Sequence, residues 1–116
     1  MNLNPEREAE SPFSQIYNSM YTTLAANAWE QVTTFTLTKP TVVTAILYYY
    51  NSTPTGLAIS NSASTSGAFQ KVEQSASDPN ASKLAVTLIL EAGTYYLLAR
   101  TNGTQSNRIQ INTWNY

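Results

Sequence analysis

The chain has 116 residues, six basic and seven acidic side chains, a formal net charge of −1, and neither His nor Cys. Without imidazole or thiol it lacks the usual proton shuttles, soft metal ligands and strongest nucleophiles, and its near-neutral charge draws in neither nucleic acid nor an anionic membrane. Ser, Thr, Asn and Gln fill 45 positions, which describes a polar, weakly charged surface that binds or assembles rather than one that reacts.

A chain of this length makes one domain with its own core. It opens with Met-Asn-Leu-Asn-Pro and the charged run Glu6 to Glu10. That is not the positive-then-apolar order of a secretory leader, so no signal peptide and no export by that route are expected. Phe13, Ile16, Tyr17, Met20 and Leu24 then follow the i, i+3, i+4, i+7, i+11 spacing of one helical face, with Ser11 and Pro12 suited to cap it. Residues 1–28 are read as an N-terminal arm with room for one short helix. Its stripe of five residues either packs on its own domain or docks on a neighbouring subunit.

From Trp29 the hydrophobic period becomes two, which starts a β domain over residues 29–116. Trp29, Phe35 and Leu37 are placed on one face of a first strand ended by Lys39-Pro40. Thr41 to Tyr50 is almost continuously apolar or aromatic and is the candidate central strand; it is too short to span a bilayer as a helix. Asn51 to Gly56 reads as a turn, followed by weaker strands at Leu57 to Ser60 and Ala68 to Gln74, and by a turn at Ser77 to Asn80. Leu84, Val86, Leu88 and Leu90 alternate cleanly up to Glu91-Ala92-Gly93, where a tight reversal wants a glycine at positive φ. Thr94 to Thr101 is a further strand. The last, Arg108 to Tyr116, sets Ile109 and Ile111 against Gln110, Asn112, Trp114 and Tyr116. With no βαβ alternation, these signals predict an all-β fold: an antiparallel two-sheet β-sandwich of the jelly-roll kind, with about six to eight strands. The three Asn-x-Ser/Thr sequons at Asn51, Asn80 and Asn102 mark loops.

Chemistry is sparse. Beyond the N-terminal lead the carboxylates are Glu30, Glu73, Asp78 and Glu91, scattered and in part beside turns, which offers neither a catalytic pair nor a clustered calcium site. No catalytic residue, metal site or cofactor is assigned. The aromatic side chains are the remaining resource. Alternation makes Tyr49 and one of Tyr95 or Tyr96 core residues. Trp29, Tyr48, Tyr50, Tyr96, Arg100, Arg108, Trp114 and Tyr116 form the candidate exposed aromatic and cationic surface. Such a set serves a subunit seam, where Tyr, Trp and Arg are favoured, or gives flat faces on which sugar rings stack.

Phe35-Thr-Leu-Thr-Lys-Pro-Thr-Val-Val-Thr44 and Leu90-Glu-Ala-Gly-Thr-Tyr-Tyr-Leu-Leu-Ala99 resemble strand phrases of small bacterial β-sandwich modules. These include the pre-peptidase C-terminal domains and jelly-roll modules of phage particles. The Asp-rich phrase of the secreted modules is missing. An arm ahead of a polar jelly roll, starting from its own Met, looks more like a tailed-phage capsid decoration (cement) protein. The resemblance implies a non-enzymatic virion protein, made in the host cytoplasm. It would form a dimer or trimer and staple the outside of the major capsid protein lattice, with Phe13, Ile16, Tyr17, Met20 and Leu24 at the subunit or capsid interface. The alternative expectation is a carbohydrate- or receptor-binding sandwich of a fibre, baseplate or secreted protein.

Overall fold

The computed structural model describes residues 13–74 and 82–115. They form eight strands: β1 (Phe13–Thr22), β2 (Glu30–Leu37), β3 (Thr41–Tyr48), β4 (Pro54–Ser60), β5 (Ala68–Glu73), β6 (Lys83–Leu90), β7 (Gly93–Thr101) and β8 (Ser106–Asn115). A 3-10 turn at Thr65–Gly67 precedes β5. Two four-stranded antiparallel sheets result, a front sheet in the order β1-β8-β3-β6 and a back sheet in the order β2-β7-β4-β5. Consecutive strands alternate between the sheets at β1 to β4, then β5 to β8 fold back beside them, which is the double Greek key of a jelly roll. The predicted fold class is thus the observed one.

Alternation builds the core. Val43, Ala45, Leu47, Ile109 and Ile111 are completely buried on the inner face of the front sheet, joined by Leu84, Val86 and Leu90. Leu57, Ile59, Leu97 and Ala99 meet them from the back sheet, with Phe35 stacked on Tyr95 at 5.7 Å between ring centres. Burial of each large side chain contributes about 1.5–3 kcal/mol relative to exposure. The Tyr95 hydroxyl donates to the Glu91 carbonyl at 2.7 Å, so the ring enters the core with its polar end satisfied. Gly93 adopts φ 156°, as the tight β6–β7 reversal demands.

Several expectations are corrected. The helical stripe at Phe13 to Leu24 is strand β1, paired along its length with β8. A bulge at Ile16 resets the side-chain phase along this strand. Tyr17 and Tyr21 therefore pack on the core while Phe13 and Met20 point outward. This strand, inside the segment read as the arm, is a member of the sandwich. The expected cap at Ser11 and Pro12 lies outside the described residues. A second bulge, at Val32, turns Trp29 to the opposite face from Phe35 and Leu37. The predicted turn at Pro54-Thr55-Gly56 is the start of β4, a wholly buried strand flanked by β7 and β5. Tyr49 is not core: it is 56% exposed, because β3 ends at Tyr48. The turn expected at Ser77 to Asn80 falls outside the described residues.

Candidate functional site

The outer face of the front sheet is built by strand register. Outward residues recur every second position, about 7 Å apart along a strand, on strands about 4.8 Å apart. Pairing aligns them in rows that cross all four strands. The first row is apolar: Phe13, Trp114, Val42 and Ile89. Phe13 meets Trp114 edge-on, ring centres 5.2 Å apart, and both Phe13 and Ile89 are exposed.

The next row is polar and uncharged: Gln15, Asn112, Thr44 and Thr87. Gln15 Nε2 donates to Asn112 Oδ1 at 2.9 Å, and the Thr44 and Thr87 hydroxyls share a hydrogen bond of 2.8 Å. These cross-strand bonds fix the side chains; Gln15 and Thr87 are exposed and Thr44 half-buried, while Asn112 is covered by its neighbours. The third row is Asn18, Gln110, Ile46 and Ala85. Beyond it Met20 pairs with Arg108 and Tyr48 with Lys83. The Tyr48 hydroxyl donates to Gln110 Oε1 at 3.4 Å, and Arg108 Nη1 donates to Asn18 Oδ1 at 2.7 Å. From Val42 to Tyr48 the face runs about 20 Å along the strand.

On the back sheet one polar cluster is satisfied internally. The Trp29 ring lies over Gly56, and the Arg100 guanidinium sits 5.4 Å from the ring centre. Arg100 Nε donates to Thr55 Oγ1, its Nη2 donates to the carbonyls of Thr55 and Gln74, and Nη1 lies 3.6 Å from Glu73. Glu73 also pairs with Lys71 at 2.9 Å. The hydrogen bond from Lys71, reinforced by the charges of Lys71 and Arg100 and opposed by partial burial, holds this carboxyl below the ordinary range.

A third polar cluster closes the β1–β2 loop. Burial pushes the Glu30 carboxyl upward, yet the Leu24 and Ala25 amides and the Tyr21 hydroxyl all donate to it, and the net effect is a lowered pKa. Burial, then the bond and charge of Glu30, raise the Tyr21 hydroxyl to about 12. Among the described residues no group of three or more His, Cys, Asp or Glu side chains is placed to hold a metal ion.

The sequence-derived aromatic and cationic set is therefore not one surface. Tyr48, Arg108 and Trp114 share the front face, whereas Trp29, Tyr96 and Arg100 lie on the opposite, back face. Tyr50 is 60% exposed in the β3–β4 loop, and Tyr116 lies outside the described residues. Of the expected interface stripe, Phe13, Ile16 and Met20 are exposed on β1 and Leu24 is exposed in the loop after it, while Tyr17 packs inward. Sequence reasoning passed over Gln15, Asn18, Thr44 and Thr87. Only the outward run Gln110, Asn112, Trp114 signalled the face in advance.

No protein-family profile matches the chain, and no curated protein sequence matches it. A solved carbohydrate-binding module from Cellvibrio mixtus lichenase 5A, in complex with cellotriose, is similar with a TM-score of 0.44 and 14% identity, over 89% of this chain and 90% of that one.

Proposed function

We propose that this chain is a non-enzymatic binding domain that takes an extended glycan across the outer face of the front sheet. The observation that carries this reading is the registered pair of rows Gln15-Asn112-Thr44-Thr87 and Asn18-Gln110, uncharged hydrogen-bonding groups bordered by the Trp114–Phe13 aromatic ledge. Neutral amides and hydroxyls can both donate to and accept from sugar hydroxyls. Sugar C–H faces need an aromatic surface, and the ring of Trp114 is the largest on this face. Fixing the amides and hydroxyls in cross-strand pairs before binding lowers the ordering cost of the complex.

Affinity electrophoresis of the whole chain through gels containing soluble polysaccharides tests this. The expected result is saturable retardation that Trp114→Ala abolishes and Gln110→Ala weakens, with Trp29→Ala, on the opposite face, unchanged. Retardation lost equally in Trp29→Ala, or none with any polysaccharide, would overturn the proposal.

The exposure of Phe13, Ile16 and Met20 along β1 and of Leu24 after it supports a second reading, a virion surface protein that assembles through this edge. Copy number close to one per major shell subunit in purified particles would favour it, and absence from particles would remove it.

A further inference from the structure

Among the described residues, the outward positions of the front sheet carry two charges and both are positive. Lys83 stands on β6 and Arg108 on β8, with β3 between them. Tyr48 pairs with Lys83, and it lies one step beyond the Leu47–Ile109 pair, beside Arg108. The two cationic residues therefore flank one tyrosine, about 10 Å apart across two strand spacings. Neither has a carboxylate partner among the described residues. The described acids lie elsewhere: Glu30 is capped in the β1–β2 loop, Glu73 is paired on the back sheet, and Glu91 is in the β6–β7 turn. The contrast with Arg100 is informative, because that guanidinium is consumed by four contacts while Arg108 gives one N–H to Asn18 and is otherwise exposed. A guanidinium oriented by one bond keeps the rest of its fork for a planar anion.

We infer that this end of the face selects an acidic glycan, with Arg108 and Lys83 receiving a sugar carboxylate beside the Tyr48 ring while the uncharged rows take the neighbouring hydroxyls. The inference rests on the glycan-binding reading and adds the ligand's charge. A positive patch of two charges on a chain of net charge −1 suits a carboxylate on a sugar better than a polyphosphate, which calls for a broad basic surface.

The test is calorimetric titration of the whole chain with polygalacturonate and with alginate, each beside its carboxyl-reduced, neutral form. An acidic polymer is expected to bind about tenfold more tightly than its neutral form, with the margin falling as salt is raised. The double variant Lys83→Gln, Arg108→Gln should erase that margin, the acidic polymer losing more affinity than the neutral one, which loses only the Arg108-held orientation of Asn18. Equal binding of acidic and neutral forms, or a margin that survives in the double variant, overturns the inference and leaves the glycan-binding reading standing. Failure of all four polymers to bind overturns both. The unfolding midpoint of the double variant, expected to match the parent's, separates loss of the ligand site from loss of fold.

Discussion

Asn107 ties the β3–β4 loop to β8. The side chain is 1% exposed; its Oδ1 accepts from the Ser52 amide at 3.1 Å and from the Ser52 hydroxyl at 3.2 Å, and its Nδ2 donates to the Ser52 carbonyl at 2.8 Å. It imitates a strand partner for a residue that has none, since Ser52 is itself buried and lies between β3 and β4. Asn107→Ala strips the partners from a buried backbone donor and a buried backbone acceptor, each worth about 1–3 kcal/mol when left unsatisfied. A total loss of about 3–4 kcal/mol follows. With a urea m-value of about 1.5 kcal/mol/M, the midpoint falls by about 2 M. Asn107→Asp retains the acceptor and sets a second oxygen against the Ser52 carbonyl, so it is expected to be no better than Ala. The assay is urea unfolding followed by tryptophan emission. A midpoint shift below about 0.5 M at unchanged m would show instead that Ser52 finds other partners at little cost.

Glu30→Gln tests the β1–β2 loop. A carboxyl held below its ordinary value of 4.5 stabilises the fold above that pH and stops doing so as pH falls through the lowered folded-state value. The parent is therefore expected to exceed the variant in stability at neutral pH, and the gap to close in acid; paired urea titrations at pH 7 and pH 3 check this. The Tyr21 hydroxyl, raised to about 12, has the opposite sense: its contribution is complete below pH 10 and is lost as pH climbs toward 12. The ultraviolet tyrosinate titration of Tyr21→Phe should lack the last phenolate step. Gly56→Ala puts a methyl 2.6 Å from Trp29 Cη2 and 2.7 Å from its Cζ2. The ring must move off the back sheet, at about 1–3 kcal/mol, with a red-shifted tryptophan emission as the signature.

The β-sandwich was legible wherever alternation ran unbroken. Leu84 to Leu90 and Ile109 to Ile111 point where their spacing said, because both strands lay one face on the core and pair with β3 without a register break. Among the described residues four register breaks interrupt the pairing, and reading failed at the two in β1 and β2. One extra residue at Ile16 and another at Val32 shift the side-chain phase by one, and nothing in the local sequence announces either. Pro54 and Gly56 deceived for another reason. Their composition is that of a turn, but Gly56 is small to admit the Trp29 ring, a contact between residues far apart in the chain. The candidate site shows the same limit. The outward run of β8 could be read from sequence, whereas Gln15, Asn18, Thr44 and Thr87 join it only through the pairing of β1, β3 and β6 with one another's neighbours.

The bulges of β1 and β2 also bear on crowding. β1 and β2 are the outermost strands of the front and back sheets, and each is kinked out of flatness by its extra residue. The opposite borders, β6 and β5, carry Lys83, and Lys71 with Glu73. A passing strand thus meets a distorted backbone at two borders and charged side chains at the other two. Open-ended continuation of either sheet from copy to copy is discouraged at these borders, so a contact made there falls to side chains such as Phe13 and Met20 and not to shared backbone hydrogen bonds.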